Sequence, residues 1–393
     1  MPLDPTSGFP LLLSMTRVFA DTRSLIPNSH LVAYELNVPF WSDGAEKRRW
    51  VALPNGQSIH FVPNGEWVFP IGTVFVKHFE LARRRIETRL LVRGKLGTVF
   101  GASYRWRPDQ IDAEIVPERR IEALVPGNRI QSRPWCFPGP DDCKKCHLPE
   151  IGGVLGVNTR QLNLDLPGET GNQLLDWSRR GLLTDGPGHG DLAALPRLPQ
   201  LAETGSAAEK AKAFLDTNCG YCHRPGGATA DFDARWETPL EKQGLINAPA
   251  RINLGIDGAR QVAPNDPWRS MILQRVETTE ATKMPPLVHE EVDRDGSRIL
   301  REWIATLPGP TVVVPPAIEP KGGEFSEPVS VSLSHRDPSV EFRYTLDGSP
   351  PASSSPLWTG PLVLRQSTTL RARAYKVGCK YSVIVQETFV VGN

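Results

Sequence analysis

The sequence is poor in cysteine, in net charge and in long apolar runs. Its 393 residues include six cysteines, too few for a fold held together by disulfides. Lysine and arginine number 45 against 44 aspartates and glutamates, so the net charge is +1. Such a chain lacks the bulk positive charge with which proteins bind nucleic acid. No segment reaches the roughly 18 apolar residues of a membrane span, so none is predicted.

Several enzyme and targeting motifs are also absent. There is no P-loop, no dinucleotide-binding glycine pattern and no Ser/His/Asp nucleophile elbow. The apolar run from Phe9 to Ser14 has no basic region before it and is not typical of a signal peptide. We therefore expect a mature form, a fragment or one part of a longer polypeptide.

Proline (37 residues) and glycine (34 residues) are plentiful, which favours turns and short strands. The sequence predicts a multidomain α+β chain. Short β-branched and aromatic runs indicate an antiparallel β domain over residues 1–135. An irregular segment, 136–205, and a mainly α segment, 206–308, come next. A proline-rich linker, 308–316, then leads to a small Ig-like β-sandwich at 317–393.

Three helices are predicted in the α segment. The first runs from Ser206 to Asn218, with Ser206 as N-cap and Glu209 completing a capping box. The second covers Pro267–Val276, where Met271 is expected to pack rather than to ligate. The third covers Asp295–Leu307.

Four of the six cysteines form two Cys-x-x-Cys-His motifs that begin 76 residues apart. In a c-type haem, two such thiols reach the two porphyrin vinyl groups and the adjacent histidine binds the iron. Zinc ribbons place their pairs about 15–20 residues apart, so a zinc half-site or a redox dithiol is the weaker alternative. We therefore predict two covalent haem c groups, held by Cys143, Cys146 and His147 and by Cys219, Cys222 and His223.

Met284 is the predicted distal ligand of the second iron. It lies 61 residues after His223 and is followed by two prolines that favour extended backbone. A helix before the motif, a ligand methionine in a loop and a final helix make up a class I-like cytochrome c domain at 206–308. The alternative for Met284 is simple packing in a gap of the core.

The distal ligand of the first iron is less obvious, and no helix is expected before this motif because Pro138-Gly-Pro140 precedes it. His78, on a predicted strand, is the first choice. An open iron position is the alternative, and it would permit peroxide chemistry. The candidates are His78, His189, His60, His30 and Met15.

The chain resembles di-haem c-type cytochromes that have a β-rich N-terminal region and are often associated with, or fused to, quinoprotein dehydrogenases of the sorbosone type. The resemblance covers roughly residues 18–308. It implies that His147 binds the first iron and that His223 and Met284 bind the second. The matching stretches include PFWSDGAEKRRWVALP (39–54), FPIGTVFVKHFEL (69–81), DCKKCHLPEIGGVLGVNTRQLN (142–163), AFLDTNCGYCHRPGGA (213–228) and KMPPLVHEEVD (283–293).

The tail resembles the C-terminal sandwich of chitobiases and β-hexosaminidases through residues 342–375. This resemblance implies an accessory domain that acts as a spacer or as a contact surface for carbohydrate or protein. Tyr344 and Trp358 are its notable aromatics, with core packing the favoured role. The remaining cysteines, Cys136 and Cys379, are expected to be free thiols.

The sequence thus predicts a periplasmic or otherwise extracytoplasmic electron carrier that accepts electrons from a partner dehydrogenase, with a quinoprotein as the leading candidate. Two alternatives stay open. One is a di-haem peroxidase with an open first iron site, and the other is a non-catalytic binding protein with structural zinc sites.

Overall fold

The structure, a computed structural model, describes residues 8–124, 132–168, 171–229, 231–287 and 289–392. The chain divides into two compact units. One contains Met1–Gly244 with Val276–Ser297, and the other contains Leu245–Arg275 with Arg298–Asn393. The predicted α segment 206–308 is therefore shared between both units, and a separate cytochrome-like α domain is not evident there. The coarser prediction holds, because the chain is β-rich, has few helices and ends in a β domain.

The described helices are short. They are α1 (Pro140–Cys146), α2 (Thr159–Leu162), α3 (Gln173–Arg179), α4 (Ala207–Asn218), α5 (Met271–Val276) and α6 (Arg294–Thr306). The strands are β1 (Phe19–Asp21), β2 (Ile26–Pro27), β3 (Val32–Ala33), β4 (Glu46–Ala52), β5 (Ile59–His60), β6 (Val74–Leu81), β7 (Arg84–Arg93), β8 (Val99–Trp106), β9 (Ala113–Val116), β10 (Arg120–Leu124), β11 (Arg133–Phe137), β12 (Asp165–Leu166), β13 (Gly171–Asn172), β14 (Leu183–Thr184), β15 (Ala317–Glu319), β16 (Gly323–Phe325), β17 (Val329–Ser334), β18 (Glu341–Thr345), β19 (Leu362–Leu364), β20 (Thr368–Tyr375) and β21 (Val385–Val391).

A six-stranded antiparallel sheet, in the order β3-β4-β6-β7-β8-β9, forms the framework of the first unit. Successive residues of a strand face opposite sides of a sheet. One side buries Trp50 and Val76 in one core. The other side buries Val51 and Phe75 in a second core, which also contains Trp177 of α3.

The register of this sheet aligns three basic residues. Arg49 of β4 lies opposite Lys77 of β6, and Lys77 lies opposite Arg89 of β7. Directly paired residues share a face of the sheet. The three side chains therefore form a row on the side of the second core, and His78 faces the other side.

Helix α4 begins as its sequence predicts. The Glu209 N–H donates to Ser206 Oγ at 3.2 Å, and the Ser206 N–H donates to a Glu209 carboxylate oxygen at 3.3 Å. This capping box satisfies two of the donors that a helix N-terminus leaves unpaired. Near the start of α6, Gly296 lies so close to the Phe214 ring of α4 that a Cβ atom would overlap it.

The second unit ends in a β-sandwich, as predicted. Its sheets, β15-β17-β19 and β16-β21-β20-β18, share one core that includes Val331, Leu370 and Phe389. Tyr344 and Trp358 contact each other edge to face, with ring centroids 5.2 Å apart, and they pack against this core.

The same unit anchors the sandwich through Arg269. This fully buried side chain pairs with Asp266 at 3.0 Å and donates to the Ser382 carbonyl at 3.0 Å. The proline-rich linker is also anchored, because the Val313 N–H donates to the Lys380 carbonyl at 2.9 Å.

Candidate functional site

The first Cys-x-x-Cys-His motif lies in α1. The expectation that Pro138-Gly-Pro140 excludes a helix here is wrong, because the helix begins at Pro140 itself. Proline is tolerated at the first helical position, where its missing N–H costs no hydrogen bond. Cys143 and Cys146 are three residues apart and therefore share a side of the helix. The Cys143 side chain packs on Gly101 of β8, where a Cβ atom would overlap its sulfur.

His147 follows directly and is held by one hydrogen bond. Its Nδ1 lies 2.7 Å from the Gly153 carbonyl oxygen, which can only accept, so Nδ1 carries the proton. Burial lowers the pKa of His147 to about 4. The ring is thus neutral near pH 7 and has a free lone pair on Nε2, which is the state an iron ligand requires.

The second motif follows α4, whose last turn leads into Cys219. His223 is held in a similar way, but by a carboxylate, because its Nδ1 lies 2.9 Å from Asp231 Oδ1. The ring also stacks on Phe232 at a centroid distance of 3.9 Å. Both motifs therefore fix the orientation of a histidine through Nδ1.

Met284 belongs to the same unit as the second motif and is half-buried. The segment after it is fastened by the Trp41-Ser-Asp-Gly44 turn. Asp43 Oδ1 accepts the backbone N–H groups of Glu290 and Glu291 at 2.9 and 3.0 Å. Trp41 Nε1 donates to the Glu291 carbonyl at 3.2 Å.

The two motifs meet within the first unit. The Cys146 and Cys222 thiols influence each other, which raises the pKa of Cys146 and lowers that of Cys222. A cavity of about 250 Å³ opens beside them. The motif residues that line it are Cys143, Cys146, His147, Gly220 and Tyr221, and Arg224, directly after the second motif, lines it as well.

The row of basic residues forms one wall of this cavity. Arg89 makes a two-point ion pair with Glu87, at 2.6 and 2.9 Å. Arg49 lies 3.3 Å from Glu35. Lys77 instead lies over the rings of Phe40 and Phe79, at 5.7 and 5.1 Å. Burial, helped by the neighbouring cation Lys47, holds the pKa of Lys77 well below its ordinary value.

Lys77 lines the cavity, whereas the ligand chosen from the sequence was its neighbour, His78. His78 is fully buried on the opposite side of β6, where Nδ1 lies 2.7 Å from Thr88 Oγ1 and Nε2 lies 3.1 Å from Glu80 Oε1. His78 is not among the cavity-lining residues, so the tentative choice of His78 as distal ligand does not fit the structure. Strand alternation was visible in the sequence, but the side that faces the cavity was not.

The other distal candidates also lie outside the cavity lining as it is described, namely His189, His60, His30 and Met15. All six cysteines are free thiols, including the buried Cys136 and the half-buried Cys379. In the described part of the chain, no group of three or more His, Cys, Asp and Glu side chains is arranged to hold a metal ion.

A comparison with protein families gives one match. Residues 320–386 match the chitobiase/beta-hexosaminidase C-terminal domain. This match agrees with the predicted character of the tail and with the observed sandwich. It covers neither Cys-x-x-Cys-His motif. Comparisons with curated proteins and with solved structures give no match. Within the described residues, no helix combines the length and the apolar character that crossing a membrane requires.

Proposed function

We propose that this chain is a di-haem c-type cytochrome that transfers electrons. The observation that carries the proposal is the meeting of both Cys-x-x-Cys-His motifs at one cavity, with each histidine held through Nδ1. Haem iron, when bound, supplies a reversible one-electron couple.

The residues that line the cavity, together with the other residues of the second motif and Met284, fit such a group. The cysteine pairs provide the thiols for attachment, and His147 and His223 provide Nε2 for the iron. Met284 is the proposed sixth ligand at the second site. The two arginines of the basic wall, Arg49 and Arg89, suit the anionic carboxylates of a porphyrin.

Haem counting tests this proposal directly. The full chain, produced in a bacterial host with haem c maturation, should carry two covalent haems by pyridine haemochrome assay and intact mass. Cys143→Ala/Cys146→Ala and Cys219→Ala/Cys222→Ala should each carry one. Cys136→Ala, outside both motifs, should retain two. A chain that binds zinc and no haem would favour the zinc-site alternative and overturn the proposal.

One observation favours the peroxidase alternative. No histidine other than His147 and no methionine lines the cavity as described, so the usual sixth ligands are not found there. Rapid turnover of hydrogen peroxide with a reduced donor would support an enzyme. Slow turnover together with fast electron exchange would support the carrier.

The proposed setting is the periplasm or another extracytoplasmic space, because haem c is attached outside the cytoplasm. The proposed electron donor is a dehydrogenase, with a quinoprotein first, and the sandwich would offer a contact surface for protein or carbohydrate. Stopped-flow reduction of the oxidised protein by a quinoprotein dehydrogenase and its sugar substrate tests the donor.

A further inference from the structure

We propose that Lys77 is the sixth ligand of the first haem iron. This inference rests on the proposed function, since it assigns a residue to the iron that His147 binds. Two observations carry it: the position of Lys77 in the wall of the cavity beside His147, and its lack of a polar partner.

The position follows from the register of the sheet. Lys77 lies between Arg49 and Arg89 in the basic row, and all three residues line the same cavity as Cys143 and His147. The backbone of Lys77 is therefore placed by a central strand rather than by a loop, and its four-carbon stem carries the amine from there.

The three residues of the basic row differ in whether they have an acidic partner. Arg89 has Glu87 and Arg49 has Glu35, whereas no hydrogen bond or ion pair joins Lys77 to any residue in the described ranges. The Lys77 side chain is partly buried, and an ammonium group that is partly withdrawn from water without an anion is incompletely compensated. Coordination by the neutral amine would remove this uncompensated charge, because the nitrogen then donates its lone pair to the metal.

The other lining residues leave few choices. The described lining offers neither a second imidazole nor a thioether of methionine. Arginine side chains stay protonated and have no lone pair to donate. Lys77 is therefore the nitrogen donor that can face the iron from the wall of the sheet.

The test compares variants that separate charge from ligation. Lys77→Arg keeps the charge but cannot coordinate, whereas Lys77→His keeps a nitrogen ligand. The readouts are the ferric optical and electron paramagnetic resonance spectra of the full two-haem protein, together with its haem content and melting temperature. His78→Gln, one residue away on the opposite side of the strand, is the matched control.

We expect two low-spin haems in the unchanged protein, in Lys77→His and in His78→Gln. In Lys77→Arg, one of the two haems should become high-spin, with two haems still attached. Low-spin spectra of both haems in Lys77→Arg would overturn the assignment and indicate that Lys77 pairs with a porphyrin carboxylate. A high-spin haem in the unchanged protein would also overturn it. Absence of covalent haem would instead refute the proposed function.

Discussion

The Arg160–Asp216 ion pair should be a position where the stability of the first unit is sensitive to the loss of one partner. Arg160 of α2 follows the first motif, and Asp216 of α4 precedes the second. Two hydrogen bonds join them, at 2.8 and 3.1 Å, and both side chains are more than nine-tenths buried. Asp216 also accepts the Trp236 N–H at 2.9 Å. Removing one member of such a pair leaves a buried charge, which costs about 3–5 kcal/mol.

The two partners should not be equivalent. In Arg160→Met, the buried Asp216 carboxylate keeps only a backbone donor, so we expect the free energy of unfolding to fall by about 3–5 kcal/mol. In Asp216→Asn, Arg160 still faces Glu237 at 3.4 Å and Glu66 at 3.7 Å, so the loss should be nearer 1.5–3 kcal/mol, as is typical of about one charged hydrogen bond. The double variant should lose clearly less than the sum, because neither charge is then left unpaired.

Equilibrium urea unfolding, followed by fluorescence and circular dichroism, measures these losses. Arg197→Met is the control, since its pair with Glu203 at 2.7 Å is exposed and should contribute at most about 1 kcal/mol. A loss below about 1 kcal/mol in Arg160→Met, or strict additivity in the double variant, would refute the reasoning.

Three further predictions concern single side chains. Asp231→Asn should raise the reduction potential of the haem proposed at His223, because the Asp231 carboxylate would make His223 a stronger donor to its iron. A tenfold change in the equilibrium corresponds to about 59 mV in a redox titration. Gly153→Ala should destabilise the fold and disturb the spectrum of the haem proposed at His147, because Gly153 has a φ of +75° and no room for a Cβ atom beside the Gly97 carbonyl. The hydrogen bond from His78 lowers the pKa of Glu80 to about 2. The stability that this carboxylate contributes should therefore be present above pH 4.5 and lost as the pH falls toward 2. In Glu80→Gln, the free energy of unfolding measured in urea should depend less on pH over this range.

Each of these has a contradicting result. Asp231→Glu keeps the carboxylate, so a potential that rises equally in Glu and Asn variants would point to packing instead. Gly152→Ala has open space at its Cβ position, so equal damage there would show that φ alone is responsible. An unchanged acid profile in Glu80→Gln would show that the carboxylate does not titrate with folding.

The sequence predicted local features where the cause was local. The capping box at Ser206 and Glu209 specifies the start of α4, and it is present in the structure. The helix that begins at Pro140 was not predicted from the sequence. A cluster of prolines can either end a helix or occupy its first position, and the sequence alone does not distinguish these cases. The shared cavity was not predictable, because it depends on contacts between residues more than seventy positions apart. Lys77 and His78 show the same limit. Strand alternation predicts that they lie on opposite faces of the sheet, but it does not predict which face borders the cavity.

The anchoring of Arg269 has a consequence for how this chain can be shortened. A chain cut within residues 308–316 would lose the Ser382 carbonyl and the Tyr381 ring, and the fully buried guanidinium of Arg269 would face solvent with Asp266 and Asp257. The terminal β domain is therefore not a detachable module of the second unit. A shortened chain that keeps the fold of the terminal β domain should also contain residues 245–275 and the linker, even though the family match begins only at residue 320.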